Sequence, residues 1–320
     1  MIGRISLVTT SIIFACAVAW GQSRIEIRPI ETLTVSTQQF LVGDPHGQPA
    51  TLAGELRLPI ASSGKLPAVI LLHGSEGLQT HHARWAEELN GIGIAVLLLD
   101  SFAGRGITNT SDDHLANLSM MIDAYRALAL LAQHSRIDPQ RIAIMGFSKG
   151  GIAAVYSSTE RFRRMYAPSG LDFVAHIGMY MGCVTRYRED DKVTAAPIRL
   201  FHGTADDWTP IEPCREYVAR LQKAGADAKL IAFPGAPHAY DTIGRKNLEP
   251  LSFPTVPTAR KCSLVEGDNG IILNSSTGKP FTVNDECVQK GTHIGYDEAA
   301  TVATVKAVKD FLASVFKLKV

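Results

Sequence analysis

RIAIMGFSKGGIAAV, residues Arg141 to Val155, has the pattern of a strand, a tight turn and the start of a helix. The turn GFSKG matches the G-x-S-x-G pattern of a nucleophile elbow, in which a strained turn raises a serine above a sheet edge. Only small residues fit beside that serine, and Gly146 and Gly150 meet the demand. Ser148 is therefore the candidate nucleophile. The competing interpretation is an ordinary glycine-rich turn between a strand and a helix.

Short apolar runs alternate with helical patterns along most of the chain, which predicts a parallel sheet flanked by helices. Most runs are almost continuously apolar, as expected for strands covered on both faces. After a polar, strand-like lead-in over 31–58, the expected strands are 68–72, 94–99, 142–145, 174–180, 198–201 and 229–233. The expected helices are 82–90, 114–134, 150–158, 213–224 and 299–316.

Two later segments offer the groups that a serine nucleophile needs, because its hydroxyl reacts poorly until an oriented base accepts its proton. The first, FHGTADDWTP at 201–210, follows an expected strand and offers a carboxylate. The second, FPGAPH at 233–238, follows the next strand and offers the imidazole of His238. Both segments should lie at the sheet edge where Ser148 emerges. The chain order serine, acid, histidine is the order expected of α/β hydrolases.

From about residue 52 to the C-terminus, the chain resembles the dienelactone hydrolase family of α/β hydrolases. The resemblance rests on HGSEGL at 73–78, the elbow, GTADDWTP at 203–210 and the Pro237-His238 pair. It implies an α/β-hydrolase fold, with a mostly parallel central sheet and helices on both faces. In the family's G-x-x-D-x-x-V-P pattern the acid lies four residues before the proline, which selects Asp206 over Asp207. The namesake enzymes use cysteine where this chain has Ser148, so the resemblance does not carry over their substrate, and we expect the broader class of carboxylic esters or lactones.

Two backbone N–H groups are expected to stabilise the oxyanion that forms when a carbonyl is attacked. One belongs to Lys149 at the helix start, where the helix dipole favours negative charge; its side chain is expected to be exposed. The other, implied by the resemblance, belongs to Ser75, with the N–H of Glu76 as competitor. The predicted activity is ester or lactone hydrolysis through an acyl-enzyme, with Ser148 as nucleophile, His238 as base and Asp206 as its orienting acid.

Several competing interpretations are open at the level of sequence. Asp207 could be the acid in place of Asp206, and His293 could be the base in place of His238. The same fold could also serve an acyltransferase, a peptidase or a secreted binding protein without catalysis. Intact candidates for all three catalytic roles weigh against the last of these.

Four further residues are candidates for substrate contact. Glu76 could orient the nucleophile or substrate, or could simply be solvated. Arg105 follows an expected strand at the active edge, where it could bind a substrate carboxylate or form a structural salt bridge. Trp208 and Tyr240 lie beside the proposed acid and base, and they could form pocket walls or pack in the core.

The composition excludes several other classes of protein. With 46% hydrophobic and 20% charged residues, the chain has an ordinary globular core. A net charge of +1 gives no basic footprint for nucleic acid. The pair His81-His82 lacks further ligands at metal-binding spacing, so we expect a solvated helix start and no metal. No dinucleotide or P-loop signature is present, so no cofactor is expected. The oligomeric state is not indicated.

Residues 1–21 are typical of a signal peptide that is cleaved during export. Arg4 precedes an apolar run over 5–18, and small residues follow. The run is shorter than the roughly 18 to 20 residues that a membrane-spanning helix needs. We therefore predict a periplasmic or secreted protein with no stable membrane insertion.

Four cysteines remain after residues 1–21 are removed, and this even number in an exported protein favours disulfides over buried free thiols. The expected strand order brings Cys183 and Cys214 to the same edge of the sheet, which predicts their bond. Cys262 and Cys287 would then staple residues 241–293, a segment rich in Pro, Gly, Asn, Ser and Thr. We interpret this segment as an insertion, with a small hairpin of 271–273 and 281–283, in a single domain over 22–320.

Overall fold

A computed structural model describes residues 23–59, 64–108 and 115–318, so the predicted signal peptide lies outside the described residues. Thirteen strands occur in these ranges: β1 (Ser23–Thr34), β2 (Gln48–Pro59), β3 (Leu66–Leu72), β4 (Ala95–Asp100), β5 (Ile137–Phe147), β6 (His176–Met179), β7 (Thr185–Arg186), β8 (Ile198–Gly203), β9 (Ala228–Phe233), β10 (Leu251–Thr258), β11 (Leu264–Glu266), β12 (Ile272–Asn274) and β13 (Gln289–Ile294). The α-helices in these ranges are α1 (Thr37–Val42), α2 (Thr80–Asn90), α3 (Ser119–Ala132), α4 (Lys149–Tyr156), α5 (Glu160–Tyr166), α6 (Ile211–Lys223) and α7 (Glu298–Phe316).

Eight of the strands form one sheet in the spatial order β1-β2-β4-β3-β5-β6-β8-β9. Strand β2 pairs antiparallel with both β1 and β4. All neighbours from β4 to β9 pair in parallel. The carboxyl ends of β5, β8 and β9 therefore lie at the same edge of the sheet, and the chain continues from each of them into one of the three segments predicted to be catalytic.

The sheet is covered by helices on both faces. Successive residues of a strand point to opposite faces, and every residue of β3 is buried. Ile70 packs in a core with Leu128 of α3 and side chains of α4 and α6. Leu71 packs in a second core with Leu312 of α7 and side chains of α2. The predicted mostly parallel sheet between two helical layers is confirmed.

The segment 241–293 adds two small sheets. Strands β10 and β13 pair antiparallel, while β11 pairs with β12 and, in parallel, with β7. The predicted hairpin of 271–273 with 281–283 is limited to one antiparallel bridge from Leu273 to Pro280 and the hydrogen bonds beside it, while the ladder partner of β12 is β11. Proline has no N–H to donate to a ladder. Among the described residues, no helix is both long and apolar enough to cross a membrane.

Both predicted disulfides are confirmed. Cys183 bonds Cys214 with a Cα–Cα distance of 5.0 Å, and Cys262 bonds Cys287 with a Cα–Cα distance of 4.9 Å. The first ties the chain after β6 to α6, the helix that follows the proposed acid. The second lies within 241–293. Such bonds persist in oxidising compartments, which agrees with a periplasmic or extracellular location.

Replacing Cys183 and Cys214 together with serine is expected to lower the free energy of unfolding by about 3 to 4 kcal/mol. The bond joins residues 31 positions apart and so restricts the unfolded chain. Chemical denaturation of the oxidised wild type and the double variant measures the difference. A loss below about 1 kcal/mol would mean that this bridge contributes little to stability.

Candidate active site

Ser148 lies in a strained turn between β5 and α4. Its backbone has φ 48° and ψ −112°, a conformation that residues other than glycine rarely adopt. The flanking glycines are required sterically. A Cβ on Gly146 would lie 2.1 Å from the carbonyl oxygen of Gly150, and one on Gly150 would lie 2.4 Å from that of His73. The turn is therefore the predicted elbow in geometry as well as in sequence.

His238 connects Ser148 with Asp206 through two hydrogen bonds. The hydroxyl Oγ of Ser148 lies 3.0 Å from Nε2 of His238, and Nδ1 of the same ring lies 2.8 Å from Oδ2 of Asp206. Because an ionised carboxylate can only accept, Nδ1 carries the proton and Nε2 is free to accept one from Ser148. The three side chains proposed from the sequence are thus brought together in the order that proton transfer from serine requires.

Asp206 is held as a buried anion. The backbone N–H groups of Trp208 and Thr209 donate to Oδ1 over 3.0 and 2.8 Å. Burial of the carboxyl opposes ionisation, but the electrostatic interaction with His238 and the hydrogen bonds from His202 and His238 outweigh it and hold the pKa of Asp206 well below its usual range. The carboxylate therefore stays ionised around neutral pH and can orient the imidazole.

Two residues around Asp206 were not singled out from the sequence. The ring of His202 is fully buried, with Nε2 2.7 Å from the carbonyl oxygen of Thr209 and 3.3 Å from Oδ2 of Asp206. The hydroxyl of Thr209 lies 3.0 Å from Oδ2 of Asp206 and 3.1 Å from Nδ1 of His238. The sequence did contain an indication that Thr209 differs from the family, because it occupies the position of valine in the family pattern.

Thr209→Val is expected to lower kcat by about tenfold, because the variant keeps the side chain's shape but loses the hydroxyl that lies 3.0 Å from both Oδ2 of Asp206 and the carbonyl oxygen of Tyr180. The backbone N–H of residue 209 still donates to Asp206, so the loop should keep its conformation. Steady-state kinetics and a melting curve measure the two effects separately. Unchanged kcat would show that the hydroxyl does not help to position the acid.

The two competing residues considered for the acid and base, Asp207 and His293, bind each other instead. Nδ1 and the backbone N–H of His293 lie 2.7 and 2.9 Å from the carboxylate oxygens of Asp207. Both side chains are partly exposed. This pair joins β13 to the loop that carries Asp206, and the geometry favours Asp206 and His238 for the reactive positions.

The loop that carries His238 is fixed from two sides. A Cβ on Gly203 would lie 2.0 Å from the carbonyl oxygen of Ala236. Only glycine therefore lets the loop that carries Asp206 (the acid loop) approach the loop that carries His238 (the histidine loop) so closely. Beyond the histidine, the buried carboxylate of Asp241 accepts hydrogen bonds from Tyr180 at 2.8 Å and Trp85 at 2.7 Å. Burial and the neighbouring Asp241 raise the pKa of Tyr180, so its phenol stays protonated and donates.

The turn that contains Ser75 lies against the nucleophile, since a Cβ on Gly74 would lie 3.4 Å from Cβ of Ser148. Buried His73 donates from Nδ1 to the carbonyl oxygen of Gly74 over 2.7 Å and accepts the N–H of Ser101 at Nε2 over 3.1 Å. The C=O and N–H of a trans peptide point in opposite directions. By holding the Gly74 carbonyl, His73 therefore sets the direction of the Ser75 N–H.

Lys149 and Glu76, the two other residues of the predicted oxyanion region, differ in exposure. Lys149 is the first residue of α4, as an oxyanion donor at a helix N-terminus requires. Its side chain is buried, contrary to the prediction that it is exposed. Glu76 is exposed at the rim of the cleft that contains Ser148.

Of the remaining candidates for substrate contact, Trp208 lines the cleft and two others do not. The ring of Trp208 lies 5.3 Å from that of His238. Arg105 is buried in an ion pair with Asp123 at 2.8 Å, so its guanidinium has the structural role and the suggested substrate contact was wrong. Tyr240 is fully buried, and its hydroxyl lies 2.9 Å from that of Thr304, so it packs in the core rather than in a pocket wall.

The cleft is lined by residues from the ends of β3, β5 and β6, the start of α2, and the acid and histidine loops. They are Gly74, Ser75, Glu76, Gly77, Gln79, His81, His82, Phe147, Ser148, Tyr180, Trp208, His238, Ala239 and Thr242, together with Ile294 at the end of β13. His81 and His82 are buried in its wall, which corrects the expectation of a solvated helix start. No group of three or more residues suited to hold a metal occurs in the described ranges.

Comparison with known proteins agrees with this architecture. The model of the dienelactone hydrolase family matches residues 52–316. A Bradyrhizobium protein described as a probable 2-oxo-3-(5-oxofuran-2-ylidene)propanoate lactonase is 26% identical over 221 residues, covering 62% of this chain and 85% of that protein.

Solved structures with the same fold include an esterase and a phosphotriesterase. Thermogutta terrifontis esterase 2, phosphorylated by paraoxon, has a TM-score of 0.58 at 17% identity, covering 92% of this chain and 96% of that one. A dienelactone hydrolase-like promiscuous phosphotriesterase from metagenomic libraries has a TM-score of 0.56 at 15% identity, covering 91% and 98%. With the family match extending over most of its length, the chain belongs to the dienelactone hydrolase family.

Proposed function

We propose that this protein is an exported serine hydrolase that cleaves a carboxylic ester or lactone through an acyl-enzyme. The observation that carries the proposal is the pair of hydrogen bonds from Ser148 to His238 and from His238 to Asp206 in an open cleft. A serine whose hydroxyl faces an oriented, unprotonated imidazole nitrogen can lose its proton during attack. Membership of a family of hydrolases supports the reaction class.

In the first half of the reaction, Ser148 Oγ forms a bond to the carbonyl carbon and its proton passes to Nε2 of His238. The carbonyl oxygen becomes an anion, for which the N–H groups of Ser75 and Lys149 are the proposed donors. The tetrahedral species collapses, the bond to the leaving oxygen breaks, and His238 returns the proton to that oxygen. Asp206 stabilises the imidazolium that exists between these two steps.

In the second half, water takes the place of the leaving alcohol. His238 removes a proton from the water as it attacks the acyl carbon, and the same oxyanion donors are used again. Collapse breaks the bond to Ser148 Oγ, which receives the proton, and releases the acid. The lactonase description of the Bradyrhizobium relative supports including lactones, in which leaving group and acyl group stay joined.

The proposed location and chain organisation rest on separate observations. Two disulfides and the signal-like pattern of residues 1–21 support export. We also propose that residues 22–320 form one domain in which 241–293 is an insertion beside the cleft. Thr242 of this segment lines the cleft, and β13 leads out of the segment to Ile294, which lines the cleft and forms a bridge with His238.

The test is covalent labelling by a fluorophosphonate, which reacts with activated serines. Intact mass should increase by one phosphonyl group per chain, peptide mapping should place it on Ser148, and p-nitrophenyl butyrate hydrolysis should be lost in parallel. Label on another residue, or labelled protein that keeps its activity, would overturn the proposal. Adding an alcohol as acceptor during ester turnover separates hydrolysis from acyl transfer, since a transferase would form mainly the new ester.

A further inference from the structure

Two neighbouring histidines form part of the cleft wall without a role in the proposed proton transfer. His81 and His82 lie in the first turn of α2, and both line the cleft that contains Ser148. They are 9% and 1% exposed. Their ring centroids are 3.9 Å apart. The ring of His82 packs edge-to-face with that of Phe147, the residue before Ser148, with the ring centroids 4.8 Å apart.

Each ring has a nitrogen that finds no hydrogen-bond partner among the described residues. These atoms are Nδ1 of His81 and Nε2 of His82, and both are buried. Buried polar atoms are nearly always hydrogen-bonded. Of the described residues with such an unpaired side-chain atom, only these two line the cleft. An unpaired ring nitrogen in a residue that lines a substrate cleft can take its partner from a bound molecule.

The hydrogen bonding of His82 determines what kind of partner it needs. Its Nδ1 accepts the backbone N–H of Gln79 over 2.8 Å. A neutral ring that accepts at Nδ1 carries its proton on Nε2. The unpaired Nε2 is therefore a donor, and a substrate oxygen would be its complement.

The scarcity of charged side chains in the cleft wall limits which kind of substrate oxygen can bind there. Burial lowers the pKa of His81, and burial together with the neighbouring His81 lowers the pKa of His82 well below its usual range. Both rings are thus neutral near neutral pH. Among the described residues that line the cleft, Glu76 is the only one of the Asp, Glu, Lys and Arg type. A substrate carboxylate would meet no cation in this wall, whereas an ether or carbonyl oxygen needs none.

We propose that His81 and His82 form a subsite that binds an uncharged oxygen of the substrate, such as an ether or keto oxygen, in addition to the ester that Ser148 attacks. This specificity rests on the proposed ester hydrolysis. The proposed subsite predicts that the preferred substrates are esters with a second, neutral oxygen in the acyl or the alcohol group. Plain alkyl esters and esters that bear a carboxylate should be poorer substrates.

The experiment compares esters that differ only by replacement of one CH2 with oxygen. The acyl pairs are the p-nitrophenyl esters of pentanoate with 3-methoxypropanoate and of butanoate with methoxyacetate. The alcohol pair is butyl acetate with 2-methoxyethyl acetate. For each pair, the ratio of kcat/KM for the ether to that for the alkyl ester is measured in wild type, His81→Phe and His82→Phe. Comparing this ratio between proteins cancels the intrinsic reactivity of the esters.

We expect the ratio to fall by about tenfold in the variants for at least one pair, which corresponds to one lost hydrogen bond. His82→Phe also removes the acceptor for the Gln79 N–H, so this variant could change the ratio through a folding defect. His81→Phe loses no hydrogen bond of the free protein, so the same change in this variant would not have that cause. The matched control is His46→Phe, an exposed histidine paired with Asp44, in which the ratio should equal that of wild type.

Two results would overturn the subsite. One is a ratio that changes by less than about twofold in both variants for every pair. The other is a wild-type preference for p-nitrophenyl hydrogen adipate over its methyl ester, since the first carries a carboxylate. If the wild-type enzyme is active, either result contradicts only the subsite and not the proposed ester hydrolysis. Wild-type protein that cleaves none of these esters contradicts the proposed function itself.

Discussion

Ser148→Ala is expected to lower kcat for p-nitrophenyl butyrate by about 10⁴-fold or more, as loss of the nucleophile does in known serine hydrolases. Without Oγ, no covalent bond to the acyl carbon can form, and His238 loses the hydroxyl that lies 3.0 Å from Nε2. The turn should persist, because alanine accepts the strained φ of 48° no worse than serine does and Gly146 and Gly150 remain. Stopped assays at high enzyme concentration measure the residual rate, and a melting curve checks the fold.

A matched control is Ser157→Ala at the other end of the same helix. Its hydroxyl binds the carbonyl oxygen of Ala154 and lies 3.0 Å from His176, both away from the cleft. This variant should lose some stability and keep most of its activity. If Ser148→Ala instead retained more than about a tenth of the wild-type kcat, the serine could not be the nucleophile.

Much of this site could be predicted from the sequence because it depends on local rules and on strand order. The elbow is a short-range steric pattern around Ser148, and the segments with Asp206 and His238 each follow a parallel strand. Parallel strands bring their carboxyl ends to one edge whatever the loop details. The family's spacing before Pro210 distinguished Asp206 from Asp207, and the structure shows why it could, since Asp207 binds His293.

The remaining features depend on how loops fold over one another, which no local pattern encodes. Asp241 meets Tyr180 and Trp85 across 61 and 156 positions of sequence. Arg105 follows a strand at the active edge, yet its partner Asp123 lies within α3 and draws its guanidinium away from the cleft. His81 and His82 have a polar composition typical of a solvated helix start, but their rings pack against each other and against Phe147 and are buried. Burial of polar side chains was thus the property that the sequence predicted least well.

Asp206→Asn is expected to lower kcat by about 10³- to 10⁴-fold with little change of fold, by analogy with the same replacement in a Ser-His-Asp triad. The asparagine oxygen can still accept the N–H groups of Trp208 and Thr209, so the loop should stay in place. Its amide nitrogen then faces His238 as a donor. The ring must accept at Nδ1 and carry its proton on Nε2, where it can no longer take the proton of Ser148.

The control for this variant is Asp207→Asn, because the two carboxylates are adjacent in sequence and only Asp206 is hydrogen-bonded to His238. Asp207 binds His293 at the surface, so its replacement should change kcat by no more than about threefold. Reversed results, with Asp207→Asn inactive and Asp206→Asn active, would transfer the acid role to the neighbour. Both variants lose one negative charge at neighbouring positions, so a loss of activity confined to Asp206→Asn would point to the hydrogen bond between Asp206 and His238.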